Sequence, residues 1–272
     1  NWDVSGVTTM EHMFSEARAF NQDLNDWNTL KVTNMNYMFA YAFAFNQDLN
    51  GWDTSGVTSM WGTFNYTTDF NQDLSWNTSG VTTMADMFYG ADEFNGNISH
   101  WDTSKVTSMS GMFLYAKKFN QPIGNWITSK VTTMWAMLYG AENFNQPINT
   151  NGNNWNVSSV TTMQYMFGYA YAFNQPLDKW ITSGVTNMKE MFYNAIAFNQ
   201  DIGDWVVSGV TTIDGFNQMF EGASSFEQDL STWTLPIDIC AGNVGQDTYD
   251  ALFTYTPPSS APICFPKGTP VL

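Results

Sequence analysis

The chain has 272 residues, of which 43% are hydrophobic and 17% aromatic, enough to fill one large core or two ordinary ones. Only 12% are charged, yet the net charge is −16, and a surface so poor in Lys and Arg excludes nucleic acid and anionic headgroups as partners. No run of about 18 apolar residues occurs, so no membrane insertion is expected within the chain.

The chain starts Asn1-Trp2-Asp3, with neither an initiator Met nor a charged-then-apolar leader. Any signal peptide is therefore expected to have been removed or to lie upstream in a longer protein. From Trp2 onward a period appears. Tryptophan recurs at 2, 27, 52, 76, 101, 126, 155, 180, 205 and 233, a spacing near 25 with two insertions. The first insertion is the polar stretch before Trp155, and the second falls inside "VTTIDGFNQMF" (210–220). Aligned on tryptophan, the unit reads W-x-T-S-x-V-T-x-M-x-x-M-F-x-x-A-x-x-F-N-Q-[D/P]-[L/I]-x-x. All 16 methionines fall in its two Met columns, with Thr63 and Ile213 standing where a Met is expected and Leu138 where the Phe is. Each unit contributes to the same files, so these columns read as core rather than as a sticky groove.

Within the first unit, Val7, Met10, Met13, Phe14 and Ala17 follow the i, i+3, i+4, i+7 spacing of one helical face, with Ser5 or Thr8 as a cap. Phe20 to Leu24 then alternates as a short strand would, Phe20 and Leu24 facing in. Three units carry Pro at the Asp position (Pro122, Pro147, Pro176), so the strand must be brief. The spacing predicts an α/β repeat: a leucine-rich-repeat-like solenoid of about nine 25-residue coils, short parallel strands on one side and short helices on the other. Residues 1–233 would form the solenoid, 234–263 a C-terminal cap or linker, and 264–272 a separate segment.

The motif VTxMxxMFxxAxxFNQ[D/P][L/I]xxW resembles the BspA-like leucine-rich-repeat surface proteins, in the variant called the mycoplasma-type lipoprotein repeat. The resemblance covers about residues 1–233. It implies an extracellular, cell-surface or particle-surface address and, as in some members, adhesion to protein or glycan. The last nine residues, "CFPKGTPVL" from Cys264, resemble the opening of a Hint (hedgehog/intein-type) self-processing domain. That likeness implies Cys264 as nucleophile at the Ile263-Cys264 bond, provided that a complete domain follows. Cys240 and Cys264 are the only cysteines, and the competing reading is a disulfide between them in an oxidising compartment.

Asn follows Phe at 21, 46, 71, 95, 120, 145, 174 and 199, a column expected to form a structural amide ladder along the stack. Beside it, Asp23, Asp48, Asp73, Asp201 and Asp229 are expected in water, since Pro interrupts any continuous calcium ladder. The Thr column (8, 33, 58, 82, 107, 132, 161, 186, 211) reads as capping or turn residues, in competition with an ice-binding array. His12 and His100, the only histidines, occupy unrelated positions, so no recurring acid-base pair, metal site or cofactor site is expected. Asn65, Asn77, Asn97 and Asn156 head glycosylation triplets.

The functional expectation is a non-catalytic repeat module that contacts protein or glycan through Trp61, Trp135, Tyr115 and Tyr169, or whose aromatics merely pack between coils. The competing functions are a structural spacer that assembles end to end with neighbouring copies, and the repeat part of a precursor cleaved at Cys264.

Overall fold

The computed structural model describes residues 2–149 and 154–234. Cys240, Cys264 and the Ile263-Cys264 bond lie outside the described residues, as does the expected cap or linker apart from residue 234.

The expected alternation of helices and strands is absent. Among the described residues the only helix is a four-residue 3-10 turn, Ile213–Phe216, and strand pairing is confined to single bridges, a file of parallel ones from Thr9–Asn34 to Thr162–Asn187 and one more at Thr234. The α/β leucine-rich-repeat solenoid is therefore wrong. Each coil is instead a chain of tight turns, and the coils stack.

The backbone amides show why. Met10, His12, Phe14 and Glu16 donate outward to the carbonyls of Asn34, Asn36, Met38 and Ala40 in the next coil, while Met13, Ser15 and Ala17 donate back to Met10, His12 and Phe14 in their own. Alternate N–H groups thus serve the stack and the local turns. An α-helix would spend them all internally. His12 has φ 56° and Glu16 φ 61°, and the same two columns are left-handed in every one of the nine coils. A positive φ at the third residue of an i to i+3 turn is the signature of a type II turn and is incompatible with a right-handed helix.

Energetics favour the turns. A segment of about seven residues lies well below the roughly 12 needed for even a marginal isolated helix. Its Thr, Ser, Asn and Gly add no helix propensity. Holding a non-Gly residue left-handed costs about 1 kcal/mol, which the inter-coil hydrogen bonds offset only when coils are neighbours.

The region read as a strand fails for a related reason. Asn46 N–H donates to the side-chain Oδ1 of Asn21 rather than to a backbone carbonyl, and the substitution repeats along the column. A side-chain amide occupies the place where a β ladder would form.

Inside, the side chains stand in files. Phe14 lies over Phe39 at 5.5 Å and 4°, Phe39 over Phe64 at 5.6 Å and 5°, and Trp27 over Trp52 at 6.3 Å and 5°. From the second coil onward every methionine in the two Met columns is fully buried. Closing indoles also bind backward, as Trp52 Nε1 does to Leu24 O at 2.8 Å and Trp101 Nε1 to Leu74 O at 2.9 Å, whereas Trp155 Nε1, after the first insertion, is buried without a partner among the described residues. The second insertion corrects the sequence register. Met219 N–H donates to Phe216 O as Met13 does to Met10, so Phe216, not Ile213, stands in the first Met column.

Candidate functional site

The polar columns are occupied by structural bonds. Asn21, Asn46, Asn71, Asn95, Asn120, Asn145 and Asn174 each accept the backbone N–H of the next Asn in the series, and Asn199 accepts that of Glu227, at 2.8–3.0 Å. Asp23, Asp48, Asp201 and Asp229 accept the N–H two residues on, and Asp73 reaches Asn97 N–H in the next coil. The Thr hydroxyls donate to the preceding coil, as Thr33 does to Thr8 O and Thr107 to Thr82 O. No group of three His, Cys, Asp or Glu side chains is placed to hold a metal among the described residues. His12 lies exposed against Tyr37, rings 5.2 Å apart, and His100 is exposed in another coil. Asn65 is buried, 6% exposed, which makes it a poor glycan acceptor.

What remains is the outer face of the turn chain, where the two left-handed columns carry Tyr and Gly in a reciprocal pattern. The ring of one coil lies over the glycine of the next. A Cβ on Gly62 would collide with the Tyr37 ring, one on Gly90 would meet the Tyr66 ring at 2.6 Å, and one on Gly140 the Tyr115 ring at 2.5 Å. Each of these glycines also has positive φ, so both backbone and space require it.

In the first half of this face the rings cover one another. Tyr41 stacks on Tyr66 at 5.1 Å and 9°, and Tyr66 shares a 2.9 Å hydroxyl hydrogen bond with Tyr89. Trp61, 43% exposed, is tied down by its Nε1 to Asp86 Oδ2 at 3.0 Å.

Further along, the rings turn edge-on. Tyr115 and Tyr139 meet at 86°, Trp135 and Tyr165 at 87°, Tyr139 and Tyr165 at 88°. Between them opens a cleft of about 330 Å³ walled by Tyr89, Tyr115, Trp135, Tyr139 and Tyr165. Leu114, Ala136 and Glu190 complete its lining. Of the four aromatics singled out in the sequence, the structure brings together Trp135 and Tyr115. Tyr169 is half-buried beside Tyr139 at 5.2 Å, and Trp61 lies in the other half. Tyr89, Tyr139, Tyr165 and Glu190 were missed. Tyr139 alone carried a signal, a Tyr one coil before a Gly whose place its ring covers, Gly168, and Tyr89, Tyr165 and Glu190 carried none.

The cleft is acidic. Burial pushes the Glu190 carboxyl above the usual carboxylate range, against the opposing pull of Lys189. Lys189 Nζ itself reaches Asp214 at 3.4 Å, and Lys117 Nζ pairs with Asp92 at 2.8 Å. Burial likewise raises the Tyr139 phenol, helped by Tyr115, Tyr169 and Glu190, while the hydrogen bond with Tyr66 leads the causes that push Tyr89 up to about 12. These phenols stay neutral at physiological pH. No helix among the described residues is long and apolar enough to cross a membrane.

No curated protein and no solved structure gives a significant match to the chain. A family of tandem repeats does match, over residues 1–75, 74–152 and 148–238. The chain therefore belongs to the family described as "Mycoplasma protein of unknown function, DUF285".

Proposed function

We propose that the chain is a non-catalytic recognition module, displayed outside a cell or on a particle surface, that adheres to protein or glycan through its aromatic turn face. The observation that carries this reading is the cleft at Trp135 and Tyr115. These are large apolar rings, 38% and 40% exposed, that line one cleft together, whereas the Phe files of the interior are buried. Exposed, rigidly mounted Trp and Tyr offer contact area at low entropic cost. Family membership and the resemblance to surface repeat proteins favour the same reading. Polar columns that already satisfy one another leave no recurrent acid-base pair for chemistry.

The test is retention of the purified chain on protein and glycan arrays. One specific class should be retained, and Trp135→Ala should reduce retention at least about tenfold, the loss of a roughly 1.4 kcal/mol contact. Retention unaffected by Trp135→Ala and Tyr115→Ala together would overturn this assignment of the face.

A further inference from the structure

The perpendicular rings define what the cleft can hold. A sugar lies flat on an exposed ring face, whereas here Tyr139 stands at 86° to Tyr115 and 88° to Tyr165, so these walls share no common plane. Five rings, Tyr89, Tyr115, Trp135, Tyr139 and Tyr165, nevertheless line one void, and a void walled by aromatic rings attracts a cation. One carboxylate, Glu190, lines the same void. The nearby ammonium group of Lys189 is engaged by Asp214. With a net charge of −16, the surrounding field also favours a positive ligand.

The kind of cation follows from hydrogen-bond needs. A primary ammonium brings three donors and a tight hydration shell, and the wall of rings offers it little beyond Glu190. A quaternary ammonium has no N–H donors to satisfy and is desolvated more cheaply. A void of about 330 Å³ lies at the small end of ligand pockets, suited to a head group rather than to a folded segment.

We infer that this cleft binds a quaternary ammonium group of the choline type, its methyls enclosed by Tyr115, Trp135, Tyr139 and Tyr165 and its charge balanced by Glu190. The inference rests on reading the aromatic face as a recognition surface and names the chemistry recognised there.

Calorimetric titration of the full chain with choline and with tetramethylammonium tests it. The control is the neutral carbon isostere of choline, in which tert-butyl replaces trimethylammonium. Both cations should bind saturably and the isostere roughly tenfold more weakly. Glu190→Gln should weaken choline several-fold, while Trp61→Ala, outside the cleft, should leave it unchanged. Equal binding of choline and its isostere, or no saturation by either cation into the millimolar range, would overturn the proposal. Because the isostere comparison uses the unaltered chain, it stands even if a variant fails to fold. Array retention without choline binding sinks the ammonium assignment alone, and choline binding without retention on any surface sinks the adhesion reading alone.

Discussion

The two halves of the aromatic face share one backbone and one pair of left-handed columns, yet their rings meet differently, and the half around Tyr115 and Trp135 forms a cleft. Around Tyr41, Tyr66 and Trp61, Tyr41 lies flat on Tyr66, Trp61 leans on Tyr37 at 52°, and the indole N–H is spent on Asp86. Around Tyr115, Trp135 and Tyr139, rings stand at right angles and the small Ala136 and Gly140 lie among them. The backbone repeat therefore supplies a rigid frame, and the order of Tyr, Gly and Ala in two columns decides how the rings of a stretch meet.

The strongest way to break this comparison is to fill the space under the rings. Gly62→Ala and Gly140→Ala each put a Cβ about 2.5 Å from a tyrosine ring at positive φ, so each should cost about 2 kcal/mol in chemical denaturation. Only Gly140→Ala, which displaces Tyr115, should also abolish choline binding. Equal loss of binding from both would mean that the halves are not distinct.

A smaller effect separates the two exposed indoles. Trp61→Phe deletes the donor to Asp86 and should cost about 1 kcal/mol. Trp135→Phe keeps a ring in the cleft wall and deletes no such bond, and should cost less than about 0.5 kcal/mol. Thermal unfolding of the pair checks the order.

The smallest effect is one of pH. Burial raises Asp86 and Glu190 in the folded chain, so the folded state holds these protons more tightly than the unfolded one. The resulting stability is fully present below the ordinary carboxylate value and is lost as pH rises through the raised folded value. Facing Glu190 are Lys189, Glu221, Tyr165 and Asp214, and facing Asp86 is the Trp61 N–H. Asp86→Asn and Glu190→Gln should therefore each gain up to about 0.5 kcal/mol at neutral pH, after solvent screening, and nothing in acid. Asp53, Asp102 and Asp178 run the other way, held low by Ser55, Ser104 and Lys179, and their contribution is lost as pH falls through their depressed values. Denaturation midpoints against pH for the two variants would check the sign.

The core columns were legible in the sequence because burial imposes a period that any stacked coil must obey. Trp52, Phe64 and Met60 could be assigned to the interior from spacing alone. The backbone was not legible. Apolar residues at three- and four-residue steps, such as Met10, Met13, Phe14 and Ala17, satisfy a helix and a run of three-step turns equally well. What separates the two is where N–H groups go, and that depends on a partner 25 residues away. The residues at 12, 37, 62 and 86 are His, Tyr, Gly and Asp, a column with no helical logic, and their shared left-handed φ explains it. The cleft was half legible for the same reason: Trp135 and Tyr115 stand out as exposed aromatics, while Tyr165 and Glu190 come from later coils.

The decisive measurement is the hydrogen-bond partner of the Phe113 amide, read by scalar coupling across the hydrogen bond in solution. Stacked turns place that N–H on Met137 O in the next coil at 2.9 Å. A coupling from Phe113 N to the Met137 carbonyl is the predicted result. A coupling to the Met109 carbonyl, the partner four residues back that an α-helix would use, would contradict the account.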